Sequence, residues 1–118
     1  MKLRMARHTN QLEALVQFYT QLIGLQQMGS FQNHAGYDGV FLSDSEGNWE
    51  LEFTISKEAP EHQSDEDDLL VFYPNPKQYE HICQQELKIV VAKNPYWNKN
   101  AITILDPDGF RVTIVKPI

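Results

Sequence analysis

The sequence predicts an α+β fold of two βαβββ modules, and three observations predict it. These are an internal repeat with a period of roughly 60 residues, one amphipathic helix with a start signal in each half, and a matched pair of hairpin turns. The first half opens on strand-like KLRMARH, followed by Asn10 as a helix N-cap with Glu13 three residues on as its capping-box partner. Leu12, Leu15, Val16, Tyr19, Leu22 and Ile23 then recur at helical spacing, and Gly24 supplies a stop, so a helix is expected over 10–23. The second half opens on LLVFY, with Asn75 as cap, Pro76 at the first helical position and Gln78 three after the cap. Tyr79, Ile82, Cys83 and Leu87 form the buried stripe of a helix expected over 76–86. A short strand follows in each half, LQQMGSF and then KIVVA. Each half ends in a hairpin: GVFLSDSEGNWELEFT (39–54) matches AITILDPDGFRVTIV (101–115), with DSEG and DPDG at the turns and Asn48 as one extra residue. In DPDG, Asp suits the first turn position, Pro the second and Gly the fourth.

The modules are placed at about 1–55 and 68–118. The charged segment between them, about 56–67, has no apolar period and reads as a linker or solvated loop. A βαβββ unit leaves one sheet face without a helix, so the two copies are expected to curve around a cavity. Strand alternation points Arg4, Ala6 and His8, then Glu50, Glu52 and Thr54, inward in the first module. Leu69, Val71 and Tyr73, then Arg111, Thr113 and Val115, point inward in the second. Trp49, Leu51 and Phe53 are left to pack on helix.

The 118 residues fit a single domain, 1–118, made of the two modules and long enough to bury a core. Sixteen acidic against ten basic residues give a net charge of -6, which argues against a nucleic-acid partner, since phosphate binding needs clustered cations. No stretch approaches the roughly 18 apolar residues of a membrane span, and MKLRMARHTN has no apolar signal region, so a soluble cytoplasmic protein is expected. The single cysteine, Cys83, excludes an internal disulfide and a cysteine zinc cage. It reads as a small buried hydrophobe rather than a nucleophile.

LEALVQFYTQLIGL, WELEFT and AITILDPDGFRVTIV, in that order and spacing, resemble the vicinal oxygen chelate superfamily of glyoxalase I, extradiol dioxygenases and bleomycin- and fosfomycin-resistance proteins. The likeness covers nearly the whole chain and is greatest to small glyoxalase-like members. It implies four metal-ligand positions, which here read Arg4, Glu52, Leu69 and Thr113. The repeat supports the mapping, since aligned hairpins set Glu52 opposite Thr113 and aligned strand-to-cap segments set Arg4 opposite Leu69. Only Glu52 is a ligand type, whereas a catalytic divalent site needs about three ligands from His, Asp, Glu or Cys. No metal and no cofactor are therefore expected.

Other candidates have plainer readings. His8 lies about 13 Å along the strand from Arg4 at roughly 3.3 Å per residue, and reads as a pocket-rim residue. His34, His62 and His81 fall in a loop, the charged linker and an exposed helix face, without metal spacing. DSEG and DPDG resemble a calcium loop, but the twelfth positions counted from Asp44 and Asp106 are Ile55 and Pro117 instead of a bidentate Glu. Asp65 to Asp68 read as a solvated loop.

The expected function is binding of an undetermined small molecule in the cavity, by stacking and charge pairing without chemistry. The ligand-binding candidates are Arg4, His8, Glu50, Tyr73, Tyr96, Trp97, Arg111 and Thr113, with Tyr96 and Trp97 in the loop NPYWNKN either covering the cavity mouth or packing on a sheet edge. The alternative is a lyase, isomerase or dioxygenase of the superfamily, either with a metal recruited by other residues or metal-free with Glu52 as base. An Arg4–Glu52 ion pair is expected where the metal stands in relatives, the guanidinium replacing the cation. The alternative there is Glu52 meeting water or Arg111. A homodimer is expected from the small size and the resemblance.

Overall fold

Strand β1 (Leu3–His8) opens the computed structural model, which describes residues 1–118. It is followed by α1 (Leu12–Gln17), a π-helical turn (Phe18–Leu22), β2 (Gln26–His34), β3 (Tyr37–Ser43) and β4 (Trp49–Ile55). These lie in one compact unit, Met1–Glu61. The second unit, His62–Ile118, holds β5 (Leu69–Phe72), α2 (Pro76–Cys83), β6 (Ile89–Val90), a 3-10 turn (Pro95–Asn98), β7 (Ala101–Leu105) and β8 (Arg111–Val115). Each unit is a βαβββ module with one four-stranded sheet, and the strand orders match: β1-β4-β3-β2 and β5-β8-β7-β6. In each, the first strand pairs in parallel with the last, and the remaining pairs are antiparallel. A helical crossover is what a parallel pairing requires, so the amphipathic helical segment after β1 and after β5 dictates this topology. No helix or strand lies between 56 and 68, and no helix is long and apolar enough to cross a membrane.

The second helix begins as the sequence predicts. Asn75 accepts from the Gln78 N–H at 2.9 Å while the Gln78 side chain accepts from the Asn75 N–H at 2.9 Å, a complete capping box with Pro76 behind it. It ends at Cys83 rather than 86. The first helix departs further from expectation. Gln11, not Asn10, is its N-cap, and no side chain caps it. Thr9 instead takes the Gln11 N–H on its hydroxyl at 3.0 Å, so Asn10 is passed over. After one and a half turns the backbone widens: Ile23 N–H bonds the Phe18 carbonyl five residues back, and Gly24 closes the segment at φ 96°. KIVVA gives only the two-residue β6.

The two hairpin turns are built alike. Asp44 accepts the N–H groups of Glu46 and Gly47 (3.1 and 2.9 Å), and Asp106 accepts those of Asp108 and Phe110 (2.9 and 3.0 Å). Gly47 and Gly109 take positive φ, 71° and 84°, which the left-handed corner of each turn needs. These turns set the register that sorts the sheet faces. One face of each sheet meets its helix: Tyr19 stacks on Phe53 at 5.1 Å in the first module, and Ile104, Val112 and Ile114 are buried in the second, as is Ile82 of α2. Truncating Phe53, which is fully buried, to alanine removes about 3–5 kcal/mol by the usual cost of such cavities. Cys83 does not join this core. It is exposed, one position beyond buried Ile82, and the stripe of α2 is therefore narrower than its sequence implies.

Candidate functional site

The face of the first sheet away from its helix carries a charged cluster. Register places Arg4 of β1 opposite Glu50 of β4 and Ala6 opposite Glu52, with Phe41 of β3 across from Glu52. Arg4 donates to Glu50 Oε1 from Nε (3.0 Å) and Nη2 (2.8 Å), and Lys2 Nζ stands 3.3 Å from Glu50 Oε2. Glu52 Oε1 is 3.8 Å from Arg4 Nη1. The expected Arg4–Glu52 contact thus exists only as a longer ion pair, and the principal partner is Glu50, because that residue faces Arg4 directly across the parallel pair. The guanidinium also lies over the Phe41 ring, 4.4 Å from its centre. Two cations and two carboxylates make the cluster electroneutral.

Glu50 is the buried member, with 9% of its side chain exposed against 48% for Arg4. Hydrogen bonds from Arg4 hold its carboxyl below the usual carboxylate value of 4.5, aided by Lys2 and opposed by burial. Arg4 is therefore half open to solvent rather than enclosed, and its base side is already occupied by carboxylate.

His8, at the far end of β1, is tied down by its own strand's neighbour. Nδ1 meets Thr54 Oγ1 at 2.8 Å, and Nε2 meets the Glu58 carbonyl at 2.9 Å and Ser56 Oγ at 3.0 Å. A carbonyl can only accept, so Nε2 carries a proton, and the Tyr37 ring packs edge-on at 5.6 Å. His8 joins β1 to the segment after β4. On the same face the Phe31 ring covers Gly39, where an added Cβ would come within 2.3 Å of a ring carbon.

In the second module Thr113 is fully buried and shares a hydrogen bond with Thr103 directly across the β7–β8 pair, Oγ1 to Oγ1 at 2.9 Å. Arg111 donates to the Val91 carbonyl (3.2 Å) and to Glu66 (3.1 Å). Its guanidinium is engaged within its own module.

A cleft of about 770 Å³ opens at the end of this module's helix-free face. Val115 and Ala101 line it, and Tyr73, Tyr96 and Trp97 present aromatic surface to it. The placement follows from register, since Val71 pairs with Thr113 and Ala101 with Val115, so Tyr73 continues the row toward Val115. The aromatic loop is held in shape by two asparagines. Asn94 accepts the Tyr96 N–H (3.1 Å), and Asn98 clamps Ala92 by accepting its N–H (2.9 Å) and donating to its carbonyl (3.0 Å). Trp97 meets Tyr96 edge-on at 5.0 Å. Tyr96 and Tyr73 are about three-quarters exposed, and Trp97 is half-buried. Lys99 and Lys116 complete the lining, and the sequence reading missed them along with Lys2 and Phe41. Alternation alone places Lys2 on the face of Arg4, and counting back from the DSEG turn places Phe41 opposite Glu52.

The residues at the four positions where the resemblance implies a metal do not fit one. Leu69 has no donor, Arg4 carries a positive charge, the Thr113 hydroxyl is buried on Thr103, and Glu52 alone supplies a carboxylate. No group of three or more His, Cys, Asp or Glu side chains elsewhere is arranged to hold a metal ion.

The sequence matches the YycE-like N-terminal domain over residues 3–54 and the YycE-like C-terminal domain over residues 67–116. It is 36% identical to the uncharacterized protein YycE of Bacillus subtilis over 97% of this chain and 86% of that one. The crystal structure of a YycE protein of unknown function from Bacillus subtilis superposes with a TM-score of 0.84, at 31% identity, over 99% of this chain and 90% of that one. Leishmania major glyoxalase I (TM-score 0.72, 17% identity, 98% and 86% covered) has the same fold. So does TnmS3, an antibiotic binding protein from Streptomyces sp. CB03234 (TM-score 0.69, 14% identity, 100% and 96% covered). At those identities the likeness is one of fold alone.

Proposed function

The chain belongs to the YycE-like family of the vicinal oxygen chelate superfamily, and from that membership we propose that it binds a small organic molecule by stacking and shape, without metal chemistry. The cleft beside Tyr73, Tyr96 and Trp97 is the observation that carries the reading. Its volume lies in the ordinary range for small-molecule sites, and its loop is held by side-chain bonds before any ligand arrives. The donor set at Arg4, Glu52, Leu69 and Thr113 supports the metal-free part. The antibiotic-binding role of TnmS3, a protein of the same fold, lends the reading a precedent and no ligand.

Arg4, His8, Glu50, Arg111 and Thr113 have structural partners of their own, so in this reading they shape the sheet faces while the aromatic residues contact the ligand. A second reading makes Glu52 the base of a metal-free isomerase or lyase. It rests on a mostly buried carboxylate, 16% exposed, beside a guanidinium that gives its hydrogen bonds to Glu50. We propose a cytoplasmic homodimer; light scattering at several concentrations checks the dimer, and fractionation of cells checks the location.

A thermal-shift screen of small aromatic compounds on wild type and Trp97→Ala, run in EDTA and repeated with a divalent metal restored, tests the binding reading. Compounds that raise the wild-type Tm and leave Trp97→Ala unmoved support it. Stabilisation indifferent to Trp97, or present only when a divalent metal is restored, contradicts it. Turnover of any hit that survives EDTA and vanishes in Glu52→Gln turns the assignment to the enzyme.

A further inference from the structure

We infer that the ligand of the Tyr73–Tyr96–Trp97 cleft is a planar aromatic carboxylate, its ring held by the aromatic side chains and its charge met by Lys99 and Lys116. The inference deepens the small-molecule reading and rests on it. Its ground is the charge of the lining. The chain as a whole has sixteen acidic and ten basic residues, yet the charged side chains of the cleft are two lysines, with no Asp or Glu among them. In a protein of net charge -6, two lysines with no acidic side chain among the lining residues are the reverse of the balance of the chain as a whole. They steer a small anion to this place rather than elsewhere.

The lysines are also free to act. Ion pairs engage Lys2, Arg4 and Arg111, and neither cleft lysine takes part in these. Arg4, by contrast, is held by Glu50 and approached by Glu52. Backbone geometry joins the two lysines to the aromatic loop: the Lys116 N–H donates to the Asn100 carbonyl at 2.8 Å, and Lys99 directly follows the 3-10 turn that carries Tyr96 and Trp97. Ring and charge contacts are therefore fixed to the same short frame. The rest of the lining is Val115, Ala101, two prolines and Ile118, with Asn100 as the one uncharged polar side chain apart from the tyrosines. Such a wall favours a flat, largely apolar body with its charge at one edge. A sugar, which needs many hydrogen-bond partners, finds few.

Isothermal titration calorimetry with 2-naphthoate and its neutral isostere 2-naphthamide tests this on the full chain, at low salt and at high salt. The expected result is tighter binding of the carboxylate. Lys99→Met and Lys116→Met should each weaken it by roughly two- to five-fold, as exposed charge pairs do, with the amide unaffected and the preference reduced at high salt. Trp97→Ala should weaken both probes alike. Equal or tighter binding of the amide, with Trp97→Ala still weakening both, overturns the anion preference and leaves the small-molecule reading standing. Binding of neither probe, or binding of both untouched by Trp97→Ala, overturns the two together. Unchanged melting of the lysine variants shows that a lost preference is not a lost fold.

Discussion

Glu50 stands across the parallel β1–β4 pair from Arg4 and receives two of its N–H groups on one oxygen, whereas Glu52, two residues along, lies at 3.8 Å. Both carboxylates share a sheet face, but only one shares the register row. Glu50→Gln should therefore lower the Tm clearly, and Glu52→Gln should leave it close to wild type. Thermal melts of the two variants at neutral pH check the contrast, and equal effects would show that the register row does not decide the pairing.

The same pair has a pH signature. The folded protein holds the Glu50 carboxyl below 4.5, so as pH falls the unfolded chain takes up the proton first. Glu50 thus adds stability that is full above about pH 4.5 and is lost as pH drops through the lower folded value. The Tm gap between wild type and Glu50→Gln should be widest near neutrality and narrow below pH 4.5. A gap that widens on acidification would reverse the sign.

Thr113 and Thr103 make a buried pair in which each hydroxyl depends on the other. Thr113→Val should cost about 1–3 kcal/mol by stranding the Thr103 hydroxyl, and the double change to valine should recover most of it. Urea unfolding of the two singles and the double closes this cycle. Additive losses would mean that the hydroxyls act separately.

The helix starts offer a third contrast. Asn75→Ala breaks a complete capping box and should cost about 0.5–2 kcal/mol. Asn10→Ala, at a position that looks equally good in sequence, should change little because Thr9 binds the exposed N–H there. Urea midpoints of the two variants measure the difference.

These contrasts show where the sequence was readable. The repeated turn and stripe pattern was enough for the βαβββ order, because turn chemistry at Asp44 and Asp106 and period-two alternation are local properties. The inward row of Arg4, Glu50 and Glu52 followed from alternation alone. Choosing Glu50 over Glu52 needed the offset of β1 against β4, which are separated by about forty residues of chain and leave no trace in local pattern. The Thr9 bond to the Gln11 N–H and the widened π turn were hidden for a related reason: Asn10 and Glu13 satisfy a motif, and the entry path of the chain decides whether it is used. Cys83 fits a helical stripe, but α2 ends at this residue and buries Ile82, leaving Cys83 exposed. Tyr96 and Trp97 were visible as aromatics. That Lys99 and Lys116 join them depends on β7, β8 and the 3-10 turn meeting at one end of a sheet.

The cleft as binding site is tested most directly by proton–nitrogen NMR of the full chain in EDTA, titrated with 2-naphthoate. The chain has two tryptophans, so two indole N–H signals report on two places. The account predicts that the Trp97 indole signal moves and saturates together with the amide signals of Tyr96, Ala101 and Val115, while that of Trp49 on β4 stays in place. Movement of the Trp49 signal alone, or shifts gathered around Arg4, Glu50 and Glu52 with Trp97 unmoved, would contradict it.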